Sequence, residues 1–107
     1  FGVPTIAGGK ITRIDEKPGK PKSHYAVTGV YLYDSEVFSV IKKLKPSARG
    51  ELEITDVNNA YLEKGLLSHS IAKGFCSDAG TVESLMHAAE LVRNQRGNDG
   101  KKDASRT

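Results

Sequence analysis

The chain has one cysteine, Cys76, and so cannot form an internal disulfide; its thiol content gives no sign of an oxidising compartment, and the cytoplasm is the expected location. No apolar run approaches the roughly 20 residues that a membrane-spanning helix needs, and no secretory signal is read ahead of the first strand-like run. A membrane partner is therefore not expected. His24, His69 and His87 stand at intervals that match no metal-ligand pattern and read as surface or structural residues. No internal repeat is visible. An excess of one charge over the body of the chain is also lacking. The net charge is +3, and the stretch after Arg93 supplies +2 of it through Arg96, Lys101, Lys102 and Arg106 against Asp99 and Asp103. The body is close to neutral and has no interleaved aromatic and basic motif, so a nucleic-acid partner is not expected.

What is present suits one domain. At 107 residues, with 37% hydrophobic and 27% charged, the chain has the length and composition of a single soluble core with a tail. The expected division is a domain over residues 1–93 and a polar, disordered tail over 94–107, where too little apolar surface is available to fold. The chain opens on Phe1 inside a strand-like run, as expected of a fragment or a processed chain.

Phe1 to Ile6 alternates, the Ala7-Gly8-Gly9 turn follows, and Ile11 and Ile14 resume the apolar pattern, which predicts a β-hairpin. Asp15 to Ser23, with Pro18, Gly19 and Pro21, predicts a loop. Tyr25 to Tyr33 is rich in β-branched and aromatic residues and predicts a buried strand, with Gly29 marking a close backbone approach. Asp34 is placed to cap a helix carrying Val37, Phe38, Ile41 and Leu44. Thr55 or Asp56 caps a second, ended by Gly65; Leu66 to Ile71 reads as a strand and Phe75 to Asp78 as a short strand or loop. Thr81 caps a last helix with Val82, Leu85, Met86, Ala89 and Val92 on one stripe. This order predicts an α/β fold, a mixed β-sheet with flanking helices.

Three charged segments sit at turns or helix starts. In the first, Lys17 follows a strand and precedes Pro18, so its ammonium is either solvated or held to meet a phosphate. In the second, Arg49 between Ala48 and Gly50 is open to the same two readings, its planar fork suiting phosphate oxygens. In the third, Asp78 stands where a loop enters a helix and is either a helix cap or a magnesium ligand.

Glu16-Lys17-Pro18, then Tyr25 to Asp34 (YAVTGVYLYD), then Lys45 to Asn58 (KPSARGELEITDVN), then Ser77 to Leu85 (SDAGTVESL) occur in the order and spacing of the sugar-1-phosphate nucleotidyltransferases, and among them resemble the glucose-1-phosphate thymidylyltransferases. The resemblance covers roughly residues 1–93 and implies the C-terminal half of a Rossmann-like nucleotidyltransferase fold. It implies an enzyme that joins a nucleoside triphosphate to a sugar 1-phosphate and releases pyrophosphate and an NDP-sugar. Glu16 would accept hydrogen bonds from sugar hydroxyls, Lys17 and Arg49 would contact the phosphate, the backbone around Val27 and the ring of Tyr31 would line the sugar pocket, and Asp78 would be a carboxylate on Mg²⁺. The family's Gly-rich nucleotide loop, with its Arg, Lys and first magnesium-binding Asp, has no counterpart here. The nucleoside triphosphate is thus a partner only together with that half, and the chain alone is expected to be inactive. The alternative reading is a non-catalytic module that self-associates as a homo-oligomer or binds sugar phosphate. Relatives often carry an aromatic residue where Cys76 stands, and Cys76 is expected to be a small buried thiol.

Overall fold

The computed structural model describes the backbone of residues 1–103 and the side chains of residues 1–96. The chain divides into two compact units, the first running from Phe1 to Ser70 and the second beginning at Ile71.

The first unit is built on an antiparallel hairpin of β1 (Gly2–Ala7) and β2 (Lys10–Glu16). Gly8 and Gly9 both take positive φ, 57° and 74°, the two left-handed residues that a tight type I′ turn requires. The pairing carries a bulge after Thr5, and the hairpin buries Gly2, Pro4 and Ile14. Two helices follow, α1 (Val37–Lys43) and α2 (Ile54–Glu63). Val40, Val57 and Tyr61 form their shared core, with Tyr33, Val37, Leu44, Ala60 and Leu67 packed around it. Each such large side chain taken from water contributes about 1.5–3 kcal/mol. The Asn59 side chain docks α2 on the hairpin: its Oδ1 accepts the Ile14 N–H at 3.1 Å and its Nδ2 donates to the Ile14 carbonyl at 2.8 Å. The amide thus occupies the place of a third strand's backbone at that residue.

α2 ends as the sequence predicts. Gly65, at φ 69°, donates to Leu62, and the Leu66 N–H reaches back to the Tyr61 carbonyl at 3.0 Å, the double closure of a Schellman motif. Its start differs. The helix begins at Ile54 with Glu53 as the preceding cap residue, and Thr55 is not the cap because its hydroxyl is engaged by Glu16. Asp34 lies two residues ahead of the α1 cap position; its Oδ1 accepts the Glu36 N–H at 3.2 Å and the Tyr61 hydroxyl at 2.6 Å.

The mixed sheet is not observed: among the described residues the sheet has two strands. Tyr25–Tyr33 and Leu66–Ile71 are not strands, and Phe75–Asp78 is loop. The physical reason is the absence of ladder partners. Of Tyr25–Tyr33, Val27 alone donates a backbone bond outside helices and strands, to the Gly2 carbonyl at 2.8 Å. Its last four residues keep a strand's alternation nonetheless, Tyr31 and Tyr33 half-buried while Val30 and Leu32 are 82% and 97% exposed. Nothing approaches Gly29 closely.

The second unit contains α3 (Val82–Asp103). Thr81 caps it as expected: its Oγ1 accepts the Ser84 N–H at 3.1 Å while the Ser84 hydroxyl accepts the Thr81 N–H at 3.0 Å. The helix continues through Asp103, past Arg93 and into the stretch expected as a disordered tail, whose residues 104–107 lie outside the described residues. Cys76 is exposed, contrary to the expected buried thiol, because it sits in the loop ahead of α3. Among the described residues no helix is long and apolar enough to cross a membrane.

Candidate active site

An open cleft of about 280 Å³ lies between the end of β2 and the start of α2, lined by Glu16, Lys17, Ser47, Ala48, Arg49, Glu53 and Asp56. Two turns and one helix start supply these side chains. Lys17 follows directly on β2 and takes φ 41°, the one non-glycine residue with positive φ among the described residues. A lysine ahead of a proline has no local reason to adopt this sparsely populated conformation. Such strain persists where the surroundings impose it, and it concentrates at functional sites.

Ser47 to Gly50 form a closed turn. Gly50, at φ 76°, donates to the Ser47 carbonyl at 2.8 Å, and the Ser47 N–H is accepted by the Glu51 carbonyl at 2.8 Å. This turn presents Arg49, whose guanidinium grips Glu53, with Nη2 at 2.8 and 2.9 Å from the two carboxylate oxygens. The hydrogen bond to Arg49, then that from Ser47, holds the Glu53 carboxyl below the usual carboxylate range, and the same contact with Glu53 raises the Arg49 guanidinium.

Glu16 is fixed from behind. The buried Thr55 hydroxyl donates to its Oε2, and Gly2 makes room for the contact. A Cβ at Gly2 would lie 3.1 Å from Thr55 Oγ1 and 3.0 Å from Ile14 Cγ2. The same glycine's carbonyl accepts the Val27 N–H, which ties Val27 to the hairpin beside Glu16. Tyr31 stacks on Tyr33 with ring centroids 6.0 Å apart. Its phenol is pushed up first by burial and then by the charge of Glu16. Glu16, Lys17 and Arg49 are thus gathered at one cleft, whereas Val27 and Tyr31 are tied to its surroundings without lining it.

Residues 1–95 match the family model described as nucleotidyl transferase. The chain belongs to the nucleotidyl transferase family. Over 89 residues it is 51% identical to a glucose-1-phosphate thymidylyltransferase of Mycolicibacterium smegmatis, covering 81% of this chain and 31% of the relative. The corresponding protein of Neisseria meningitidis is 56% identical over 82 residues, 75% of this chain and 28% of the relative. A crystal structure described as a glucose-1-phosphate thymidylyltransferase of Bacillus anthracis in complex with sucrose matches at 61% identity with a TM-score of 0.78, over 87% of this chain and 38% of that one. The chain spans about a third of the length of these relatives. The resemblance carried by the four motifs therefore holds, and the fold is α/β of the nucleotidyl transferase kind.

Asp78 belongs to the second unit. It is exposed, and its Oδ2 accepts the Gly80 N–H at 3.0 Å in a turn ahead of the Thr81 cap. It does not cap α3, a task that Thr81 and Ser84 perform. Among the described residues no group of three or more metal-ligating side chains is assembled, and no ion pair occupies Asp78. A lone carboxylate without a cationic partner fits magnesium as a single ligand, since that ion is usually held by one or two carboxylates together with substrate phosphates.

Ser47 and Glu53 of this cleft have no role in the sequence reading, and Asp56, which lines it, and Thr55, which stands behind Glu16, figure there only as cap candidates, although all four lie inside the segment Ser47–Asp56. The signal that could have found Glu53 is its opposite charge four residues beyond Arg49.

Proposed function

We propose that the chain is the sugar-phosphate-binding portion, the C-terminal half of a Rossmann-like domain, of a glucose-1-phosphate thymidylyltransferase-like enzyme. The observation that carries this reading is the cleft at the end of β2, where Glu16, Lys17 and Arg49 converge from two separate turns. Glu16 accepts hydrogen bonds from sugar hydroxyls, its outer face left open by the Thr55 contact behind it. Lys17 and Arg49 hold the sugar's phosphate, one as a point charge and the other as a planar donor. The backbone around Val27 and the ring of Tyr31, held beside the cleft but outside its lining, meet the sugar as it extends beyond the phosphate end.

In the reaction an oxygen of the sugar 1-phosphate attacks the α-phosphorus of the nucleoside triphosphate in line. The new P–O bond forms as the bond to the bridging oxygen of the β-phosphate breaks, and pyrophosphate leaves. This chain's residues orient the attacking phosphate and offset its charge. Magnesium, when bound, offsets the charge that builds on the phosphates, and Asp78 is the residue of this chain proposed to hold it. With no Gly-rich nucleotide loop among its 107 residues, the chain alone binds sugar phosphate without turning it over. The exposed Val30 and Leu32 are covered, in the chain alone, by a second copy.

Calorimetric titration of the chain with glucose 1-phosphate tests this reading. Lys17→Ala and Arg49→Ala are each expected to weaken binding about 5- to 10-fold, the worth of one charge-assisted phosphate contact. Pyrophosphate release from dTTP and glucose 1-phosphate should stay at background. Unchanged binding in both variants rejects the assignment of the cleft. A stable monomer in sedimentation at micromolar concentrations rejects the second copy.

A further inference from the structure

Arg49 is proposed as a phosphate contact, yet its fork is turned on a carboxylate of its own chain. Nη2 lies 2.8 and 2.9 Å from the oxygens of Glu53, and Nε lies 3.1 Å from Oε1. The two partners are unequally anchored. The Glu53 side chain is 12% exposed against 50% for Arg49, and its Oε1 also accepts the Ser47 hydroxyl at 2.9 Å. Ser47 in turn accepts the Arg49 backbone N–H at 3.2 Å. Glu53 therefore belongs to the scaffold, and the Arg49 side chain is the member set against it. None of the guanidinium's hydrogen bonds among the described residues uses Nη1, which carries two N–H groups.

We propose that Glu53 is a positioning residue for sugar-phosphate binding: by holding the Nε and Nη2 edge of Arg49 it fixes the Nη1 edge to receive phosphate oxygens in the cleft shared with Lys17. The inference rests on the reading of Arg49 as a phosphate contact. Two effects of Glu53 oppose each other. Its charge offsets that of Arg49 and disfavours an incoming anion, while its hydrogen bonds remove the rotamer freedom that phosphate would otherwise have to freeze. The charge effect is screened because the guanidinium is half exposed to water. The hydrogen bonds to a largely covered carboxylate are not, so ordering prevails. A carboxylate that merely competed with phosphate would not also be tied to the turn that carries the arginine.

The test is calorimetric titration of the 107-residue chain with glucose 1-phosphate and, separately, inorganic phosphate, in Arg49→Ala, Glu53→Ala, Glu53→Gln and the Arg49→Ala/Glu53→Ala double variant. Positioning predicts that Glu53→Ala weakens glucose 1-phosphate binding about tenfold and that Glu53→Gln, which keeps one acceptor oxygen, restores part of the loss. It also predicts that Glu53→Ala costs nothing further once Arg49 is gone, an outcome that a general structural role would not produce. Unchanged or tighter binding in both Glu53 variants, with Arg49→Ala weakened, overturns the inference and leaves the site standing. No binding by the unaltered chain, or no loss in Arg49→Ala, overturns both. If Glu53→Ala fails to fold by circular dichroism, Glu53→Gln decides by the same criteria.

Discussion

The hairpin and the segment Tyr25–Tyr33 are alike in composition and differ in what they become. Both are rich in β-branched residues, and Val30–Tyr33 alternates exposed and half-buried side chains as a paired strand would. The hairpin closes a ladder because two left-handed glycines return β2 on β1 within two residues. Tyr25–Tyr33 has no such return; it bends at Gly29 and stays outside any sheet. β-propensity is fitness for a pleated surface with neighbours, so it shows itself only where a neighbour is supplied. The contrast also sorts the site residues. Glu16 ends the paired segment and is held by Thr55, while Tyr31, in the unpaired one, is held by ring stacking.

The largest test of this contrast is in the paired segment. Ile14→Ala empties a buried position under α2 and should lower stability by about 2–4 kcal/mol in urea unfolding. Asn59→Ala should cost about 1–3 kcal/mol, because it leaves the Ile14 N–H and carbonyl unpaired beneath the helix. A smaller, pH-dependent effect belongs to Tyr61. Its phenol is pushed up to about 12, first by the hydrogen bond it donates to Asp34 and then by burial. A raised folded-state value means that this stabilisation is whole below the ordinary tyrosine range near 10 and is lost as pH climbs through about 12. Tyr61→Phe should therefore flatten the fall in melting temperature between these limits. Smallest of all, Leu32→Ala in the unpaired segment should stay within about 0.5 kcal/mol when measured at concentrations low enough to keep the chain monomeric. A loss at Leu32 equal to that at Ile14 would mean that Tyr25–Tyr33 finds a covering surface in solution.

Local signals were legible and long-range ones were not. The Gly8-Gly9 turn, the Thr81 cap and the Gly65 stop could be read because each depends on residues a few positions apart. The role of Thr55 could not, because its hydroxyl is taken by Glu16, 39 residues away. Asn59 has no sequence signature as a strand substitute for Ile14 for the same reason. Of the cleft, the two cations are legible through their turns, whereas Glu53, which holds Arg49, has no local signature beyond its opposite charge four residues on.

The left-handed backbone at Lys17 has a consequence for how this sequence could be altered. Asparagine is the side-chain-bearing residue best suited to that conformation, and a designer ranking replacements by folding free energy alone would write it there. Lys17→Asn would relax the turn and remove the ammonium at the same time. Under the proposed role of Lys17, position 17 is thus a place where a gain in thermal robustness and the retention of ligand call for different amino acids.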